Sequence, residues 1–186
     1  MKILLTGSIG VGKTTLFNAL PESYQTIKIP EVARRVLNEA PNLRLTPYFQ
    51  KALLLEQYFL ENEAVKTGAE LIICDRGYVD VIAYSRYFGI EPPHELLKAF
   101  TPYDLIFYCD PEGTPPLPEA IEGVTPHPQE KEAVDACLRA TLAELDIPWH
   151  TLRGPTETRL RDFQNILTEG SIQREGVTYY YRRKEG

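Results

Sequence analysis

The sequence has few of the features that set a protein apart from ordinary globular domains. Among its 186 residues are three cysteines, one methionine and one tryptophan. Cys74, Cys109 and Cys137 lie far apart and form no CxxC pair, which argues against a disulfide framework or a metal site and favours reduced, buried thiols. No apolar run approaches the roughly 20 residues that cross a bilayer, and the opening MKILL is too short for the apolar core of a signal peptide. These absences predict a cytoplasmic protein with no membrane segment.

Positive charge is also in short supply. The chain carries 20 Lys and Arg against 26 Asp and Glu, which gives a formal net charge of −6. No overall basic field therefore indicates binding to nucleic acid or to an anionic membrane. An acidic protein that handles phosphates must concentrate its positive potential locally. The length and the 43% of hydrophobic residues suit one compact domain with a real core.

Strand-like aliphatic segments alternate with helical patterns along most of the chain. The strand-like segments are ILLT (3–6), YQTIKI (24–29), ELIICD (70–75), DLIFYCD (104–110) and IPWHTL (147–152). The clearest helix between them starts at an N-cap Thr46 and Pro47 and closes at Gly68. This alternation predicts an α/β fold, in which helices cover both faces of a parallel sheet.

Two segments do not fit this alternation. Residues 111–128 contain six prolines, which predicts a loop or lid. Residues 171–186 form a C-terminal tail with an aromatic run, which we expect to make a short hairpin turning at residues 175–176. We therefore predict a single domain over residues 1–170, followed by the tail.

The segment GSIGVGKT, residues 7–14, follows the first strand and opens the first helix. Its glycines permit positive φ and close approach to a ligand, and successive N–H groups at a helix N-terminus form a nest for an anion. Lys13 would reach the β- and γ-phosphates, Thr14 would bind Mg²⁺, and Thr15 would touch the α-phosphate. A plain glycine-rich turn is the alternative, which the strand before and the helix after disfavour. The predicted nucleotide-binding residues are Gly7, Ser8, Ile9, Gly10, Val11, Gly12, Lys13, Thr14 and Thr15.

Two further groups of polar residues follow predicted strands. Asp75 ends the strand IICD, where a carboxylate can approach the Mg²⁺ that Thr14 would also bind, and Arg76 could spread the charge of a transferring phosphoryl group. Glu31 follows the second strand and could accept a proton from an acceptor hydroxyl or bind a sugar hydroxyl, with Arg34 and Arg35 supplying positive charge. The alternative for all of them is a solvated strand end and a favourable helix start.

These motifs carry a family resemblance. GSIGVGKTT, EVARR and CDRGYVDVIAYSRYFG together resemble the small P-loop kinases that include ribosylnicotinamide and deoxynucleoside kinases, and equally a group of small AAA-labelled P-loop ATPases. The resemblance covers residues 1 to about 110 and returns weakly over 130–168. It implies a three-layer P-loop NTPase fold with a five-stranded sheet in the order 2-3-1-4-5.

The resemblance also assigns roles to residues. Glu31 matches the carboxylate that activates the acceptor hydroxyl, and Asp75 with Arg76 matches the acid–arginine pair after the third strand, so that Lys13, Glu31, Asp75 and Arg76 are the predicted catalytic residues. Tyr48, Gln50 and Gln57 fall where such kinases line the acceptor pocket, although exposed helix surface or core edge is the alternative for these three. The lid departs from the family, because Thr125 stands where an arginine is expected and only His127 and Lys131 are basic there.

The leading hypothesis is ATP- and Mg²⁺-dependent phosphoryl transfer to a small nucleoside-like or nucleotide acceptor. ATP and GTP stay open as donors, although no N-K-x-D guanine signature occurs. One alternative is a nucleotide-dependent switch or ATPase for a protein partner, which the missing lid arginines favour. Another is a polynucleotide 5′-kinase, supported by TYYYRRK in the tail and opposed by the net charge. A protein partner or a homodimer also stays open.

Overall fold

A computed structural model of the chain describes residues 1–20, 26–39, 47–92, 94–114, 128–144, 149–169, 171–174 and 177–180. The strands are β1 (Lys2–Thr6), β2 (Thr26–Ile29), β3 (Leu71–Asp75), β4 (Leu105–Cys109), β5 (Trp149–Leu152), β6 (Ser171–Arg174) and β7 (Val177–Tyr180). The helices are α1 (Lys13–Ala19), α2 (Val32–Glu39), α3 (Pro47–Lys66), α4 (Tyr78–Tyr87), α5 (His94–Ala99), α6 (Pro128–Glu144) and α7 (Thr156–Glu169).

The first five strands form one parallel sheet in the order β2-β3-β1-β4-β5. This is the predicted α/β fold with the predicted strand order. Leu5 of β1 pairs with Asp75 of β3, so the two strands end at the same edge of the sheet. The order therefore brings the segment after β1 next to the segment after β3. β6 and β7 form a separate antiparallel hairpin, and the predicted turn at residues 175–176 lies outside the described residues.

The sheet is covered on both faces, which explains why its central strands lack an alternating pattern. Successive side chains of a strand point to opposite faces. Leu4 and Ile106 belong to the core that packs under α3 and α4. Ile3 and Phe107 belong to the core under α1 and α7, which includes Phe163. Each central strand is buried throughout because both of its faces meet helices.

The observed elements differ from the predicted ones mainly at their ends. β3 is one residue shorter than the predicted segment at its start, and β4 is one residue shorter at each end. The predicted starts of the second and fifth strands, residues 24–25 and 147–148, lie outside the described ranges. Helix α5 was not predicted, because six residues are too few to show a helical period. None of the helices in the described ranges combines the length and the apolar character needed to cross a bilayer.

Candidate active site

The segment between β1 and α1 has the backbone conformation of an anion cradle. Gly7, Gly10 and Gly12 all have positive φ, at 137°, 78° and 78°. A Cβ on Gly7 would lie 2.4 Å from the carbonyl oxygen of Cys109, so only glycine fits between β1 and β4 there. Gly12 is left-handed and directly precedes the first turn of α1, where free N–H groups favour an anion. Residues 7–14 thus form the predicted P-loop.

The ammonium group of Lys13 is buried inside this loop. Lys13 is 5% exposed, and its Nζ donates a hydrogen bond to the Ser8 carbonyl oxygen at 2.5 Å. Burial, with a smaller contribution from the positive charge of Arg76, lowers the pKa of Lys13 to about 8. A bound polyphosphate would supply the negative charge that keeps this lysine protonated.

Thr14 and Asp75 meet at the predicted metal site. The Thr14 hydroxyl donates a hydrogen bond to Asp75 Oδ2 at 2.7 Å, although the residues are 61 positions apart. The other carboxylate oxygen, Oδ1, is buried and has no hydrogen-bond partner among the residues that the structure describes. Burial raises the pKa of Asp75, against the Thr14 hydrogen bond and the Lys13 charge.

This pair fits Mg²⁺, which is typically bound in phosphate-transfer sites by one or two protein oxygens, phosphates and water. An orphaned carboxylate oxygen beside a hydroxyl supplies such protein ligands. Within the described part of the chain, no group of three or more His, Cys, Asp or Glu could hold a metal by itself. Mg²⁺ would therefore be held jointly by Thr14, Asp75 and the nucleotide.

Arg76 connects the P-loop to the acidic residues around it. Its φ of 67° is left-handed, an uncommon conformation for a non-glycine residue that concentrates at functional sites. Its Nε donates to Glu31 Oε1 at 2.9 Å, and its Nη1 donates to Asp80 Oδ1 at 2.8 Å. The same Nη1 lies 3.5 Å from the Gly7 carbonyl oxygen. The guanidinium is thereby held beside the cradle and between two carboxylates.

Glu31 is an ionised acid that is already paired in this structure. Besides Arg76 Nε, its carboxylate accepts a hydrogen bond from Arg34 Nε at 2.8 Å. Burial by itself raises the pKa of Glu31, but the two guanidiniums outweigh burial and hold the pKa below its usual value. Glu31 is therefore a carboxylate at neutral pH and can accept hydrogen bonds.

A cleft of about 470 Å³ opens between α1 and α2 beside these groups. Its polar lining combines the predicted metal ligands with the predicted acid and the two arginines of EVARR. These lining residues are Thr14, Asn18, Glu31, Arg34, Arg35, Asn38, Glu39 and Asp75. Thr14 of the P-loop, Asp75, the acid and the arginines thus share one cleft, as expected for residues at the carboxyl ends of neighbouring parallel strands.

The structure places the three predicted pocket residues of α3 in different surroundings. Tyr48 is 69% exposed on the helix surface. Gln50 is buried, and within the described ranges its Oε1 has no hydrogen-bond partner. Gln57 is buried, and its Nε2 donates to Glu61 Oε1 at 2.6 Å and lies 3.5 Å from the Arg76 carbonyl oxygen. None of the three lines the cleft described above.

Asp80 is a site residue that the sequence interpretation missed. Its carboxylate accepts hydrogen bonds from the Gly77 N–H at 3.0 Å, the Thr6 hydroxyl at 2.9 Å and Arg76. Asp80 thus caps α4 and orients Arg76 at once. The signal was available in the spacing D-R-G-x-x-D, because an acid three residues after the glycine can cap a helix that begins there.

The lid side of the P-loop is described only in part. His127 and Thr125 lie outside the described residues. The main chain of Lys131, in the first turn of α6, reaches the P-loop, where its carbonyl oxygen accepts a hydrogen bond from Ser8 Oγ at 3.2 Å. Arg139, further along α6, lies 3.5 Å from Asp110, a residue that Arg153 also approaches at 3.6 Å. Helix α6 therefore brings basic residues to this end of the sheet.

The fold and this site place the protein among the small P-loop kinases and ATPases. Residues 2–159 match the model of the AAA domain family. The chain belongs to that family. No curated protein sequence is significantly similar to it.

Several solved structures share the fold. Deoxyadenosine kinase from M. mycoides with the products dCMP and dCDP bound has a TM-score of 0.65 at 13% identity, over 91% of this chain and 100% of that one. Thymidylate kinase from Ehrlichia chaffeensis has a TM-score of 0.64 at 16% identity, over 90% of this chain and 98% of that one. NadR protein in complex with NR has a TM-score of 0.65 at 20% identity, over 95% of this chain and 54% of NadR. At these identities the likeness shows a common fold.

Proposed function

We propose that this protein transfers the γ-phosphoryl group of ATP, with Mg²⁺, to a hydroxyl or phosphate oxygen of a small nucleoside-like acceptor. The observation that carries the proposal is the contact of Thr14 with Asp75 at 2.7 Å, in a cleft that also contains Glu31. A metal-ligand pair and an acid that line one cleft suit a donor and an acceptor bound next to each other.

The donor side consists of the P-loop amides, Lys13, Thr14 and Asp75. The amides and Lys13 would bind the β- and γ-phosphates, and Thr14 with Asp75 would hold the metal ion beside them. Bound Mg²⁺ would neutralise charge that develops on the β- and γ-oxygens. Arg76, oriented by Glu31 and Asp80, is the second cation that this chain can direct at the transferred group.

The acceptor side consists of Glu31 and the arginines of α2. For a hydroxyl acceptor, the acceptor oxygen forms the new bond to the γ-phosphorus, the bond from this phosphorus to the bridging oxygen breaks, and ADP leaves. The hydroxyl proton passes to the Glu31 carboxylate, which is ionised at neutral pH because Arg76 and Arg34 lower its pKa. Arg34 and Arg35 line the same cleft and could pair with an anionic group of the acceptor. Two of the structures with this fold are kinases of deoxyadenosine and thymidylate, which supports an acceptor of this class.

Transfer of label from γ-labelled ATP to a panel of nucleosides, nucleotides and short oligonucleotides tests this proposal. We expect label on a small acceptor, and we expect Glu31→Gln to lower the turnover number by about 10²–10⁴-fold while ATP still binds, because the proton acceptor is lost. Glu63→Gln is the matched control, since Glu63 is an exposed glutamate of α3 paired with Lys66. Equal turnover in Glu31→Gln and wild type would contradict the assigned role.

The second candidate is a nucleotide-dependent switch for a protein partner. One observation favours it: Glu31 and Arg76 form an ion pair at 2.9 Å in this structure, and a nucleotide that drew Arg76 to its phosphates would break this pair. Tight ATP binding without label transfer to any acceptor would support this candidate over the kinase. Label on oligonucleotides alone would instead support a polynucleotide kinase.

A further inference from the structure

We propose that Arg159 of α7 is a positioning residue that holds the P-loop in its phosphate-binding conformation. Arg159 is among the largest fully buried side chains of the protein, at 2% exposure. Its Nη1 donates a hydrogen bond to the carbonyl oxygen of Val11, inside the P-loop. The two residues are 148 positions apart, so this contact is made only by the fold.

The contact determines the direction of one amide group. A trans peptide is planar, and its C=O and the following N–H point to opposite sides. Arg159 holds the Val11 oxygen, and the Gly12 N–H must therefore point away from Arg159. Gly12 directly precedes α1, where N–H groups are directed at an anion. Arg159 thus directs the Gly12 N–H into the cradle.

Two other cations also contact P-loop carbonyls, but they differ from Arg159 in one respect. Lys13 contacts the Ser8 oxygen and Arg76 contacts the Gly7 oxygen. Both are proposed to turn to phosphate when nucleotide binds, so neither can hold the loop throughout. Arg159 has no such role, because its guanidinium lies on the carbonyl side of the peptide between Val11 and Gly12, opposite the Gly12 N–H.

Arg159 is itself held in place by the segment that follows β4. Its Nη2 donates to the Asp110 carbonyl oxygen at 2.6 Å and to the Thr114 hydroxyl. All of these partners are neutral, and no carboxylate in the described ranges pairs with the guanidinium. A buried cation without a carboxylate partner adds positive potential behind the cradle, and this potential favours a polyanion in front of it. One side chain therefore joins α7, the segment after β4 and the P-loop.

The test measures binding of ATP and of inorganic tripolyphosphate, which probes the cradle without a base or a sugar. The inference rests on the proposed nucleotide site, so the wild type is measured first. We expect Arg159→Met to raise both dissociation constants by about 10- to 100-fold, because the Gly12 amide is no longer held toward the phosphates. We also expect the Gly12 amide resonance to shift on tripolyphosphate binding in wild type and to shift less in the variant.

Arg161→Met is the matched control, because Arg161 is on the same helix and its side chain is 67% exposed. Urea unfolding of each variant shows that binding is measured on folded protein. Arg159→Lys replaces Arg159→Met in this test if Arg159→Met does not fold. A lysine keeps the positive charge but cannot contact Val11 and Asp110 with two separate nitrogens. For Arg159→Lys we therefore expect a smaller rise in both dissociation constants.

The outcomes separate this inference from the proposed function. Wild type that binds ATP and tripolyphosphate, with folded Arg159→Met or Arg159→Lys binding equally well, would overturn the positioning role alone. If such a variant binds both compounds as well as wild type but has a lower free energy of unfolding, Arg159 is a structural residue. Wild type that binds neither compound would overturn the nucleotide site and the positioning role together.

Discussion

Burial gives neighbouring charged residues of the cleft different protonation behaviour. Lys13 is desolvated, which lowers its pKa, and Asp75 is desolvated, which raises its pKa. Glu31 is also partly buried, yet the adjacent arginines lower its pKa. A phosphate and a divalent cation would reverse the first two shifts, because each places an opposite charge beside the buried group. The free site is thus poised to bind charged ligands.

Lys13 gives the first prediction at this scale. Its pKa of about 8 in the free protein should rise when a polyphosphate binds, so binding takes up a proton above pH 8. We expect the ATP association constant to fall by up to about tenfold per pH unit between pH 8 and 10. Calorimetry in two buffers of different ionisation enthalpy measures the proton uptake directly.

The lowered pKa of Lys13 affects stability in the opposite direction to ATP affinity, because it makes the free energy of unfolding rise with pH. Between pH 8 and 10.5 the unfolded chain binds more protons at Lys13 than the free native protein does, so the contribution of Lys13 to the free energy of unfolding rises with pH. Lys13→Arg is the control, because arginine does not titrate in this range.

An ATP affinity that stays constant from pH 7 to pH 10 in the wild type would contradict the prediction that Lys13 binds a proton together with the polyphosphate.

At the scale of elements, the junction between β3 and α4 organises the site. Asp75 ends β3, Arg76 adopts a left-handed conformation, and Asp80 in the first turn of α4 turns back to both Gly77 and Arg76. The strand end provides the proposed metal ligand, and the helix start provides the group that orients the arginine. One sharp turn between two elements therefore aims two functional side chains at the cradle.

The prediction at this scale concerns the helix cap. Asp80→Ala leaves the buried Arg76 guanidinium, the Gly77 N–H and the Thr6 hydroxyl without their common partner. We expect the free energy of unfolding to fall by about 3–5 kcal/mol, the cost of removing one partner of a buried ion pair. Urea unfolding measures this change in the free energy of unfolding.

Asp162→Ala is the comparison, because Asp162 is a partly exposed acid on α7 that pairs with Arg161. This control should change the stability by less than about 0.5 kcal/mol. An equally small change in Asp80→Ala would mean that the cap and the ion pair do not stabilise the junction.

At the scale of the whole molecule, the sheet separates two cores that each contain a buried thiol. Cys74 belongs to the core under α3 and α4, and Cys109 belongs to the core under α1 and α7. Burial raises the pKa of both thiols. Cys137, on α6, is only partly buried. The three thiols therefore report on the two cores and on the surface.

Thiol labelling gives the prediction at this scale. We expect a disulfide reagent to label Cys137 first in the native protein, and to label Cys74 and Cys109 only through unfolding, because buried thiols of raised pKa are unreactive. ATP at about 100 times its dissociation constant should slow labelling of the two buried cysteines by about 100-fold, since it stabilises the native state by about 2.7 kcal/mol. Mass spectrometry assigns each label. Labelling of Cys74 or Cys109 as fast as Cys137 would contradict the two-core arrangement.

Much of the fold was predictable because its signals are local. Buried parallel strands such as β1 and β4 have continuous apolar segments, and α3 begins at Pro47, as predicted. The predicted N-cap of α3, Thr46, lies outside the described residues. The glycines of the P-loop and the acid at the end of β3 are also local patterns. Helix α5 was missed for the converse reason, since six residues contain too little of a period to be recognised.

The sequence by itself determined the α/β alternation, the P-loop and the residue types available for phosphoryl transfer, because backbone preferences and apolar periods act over a few residues. The strand order entered through family resemblance. Only the tertiary structure decided that Glu31 meets Arg76 across 45 positions and that Val11 meets Arg159 across 148. Such pairs leave no periodic trace in the chain, since they depend on how α2 and α7 pack beside the sheet. The candidate residues of this site can therefore be predicted from the sequence, whereas the contacts that orient them depend on tertiary packing.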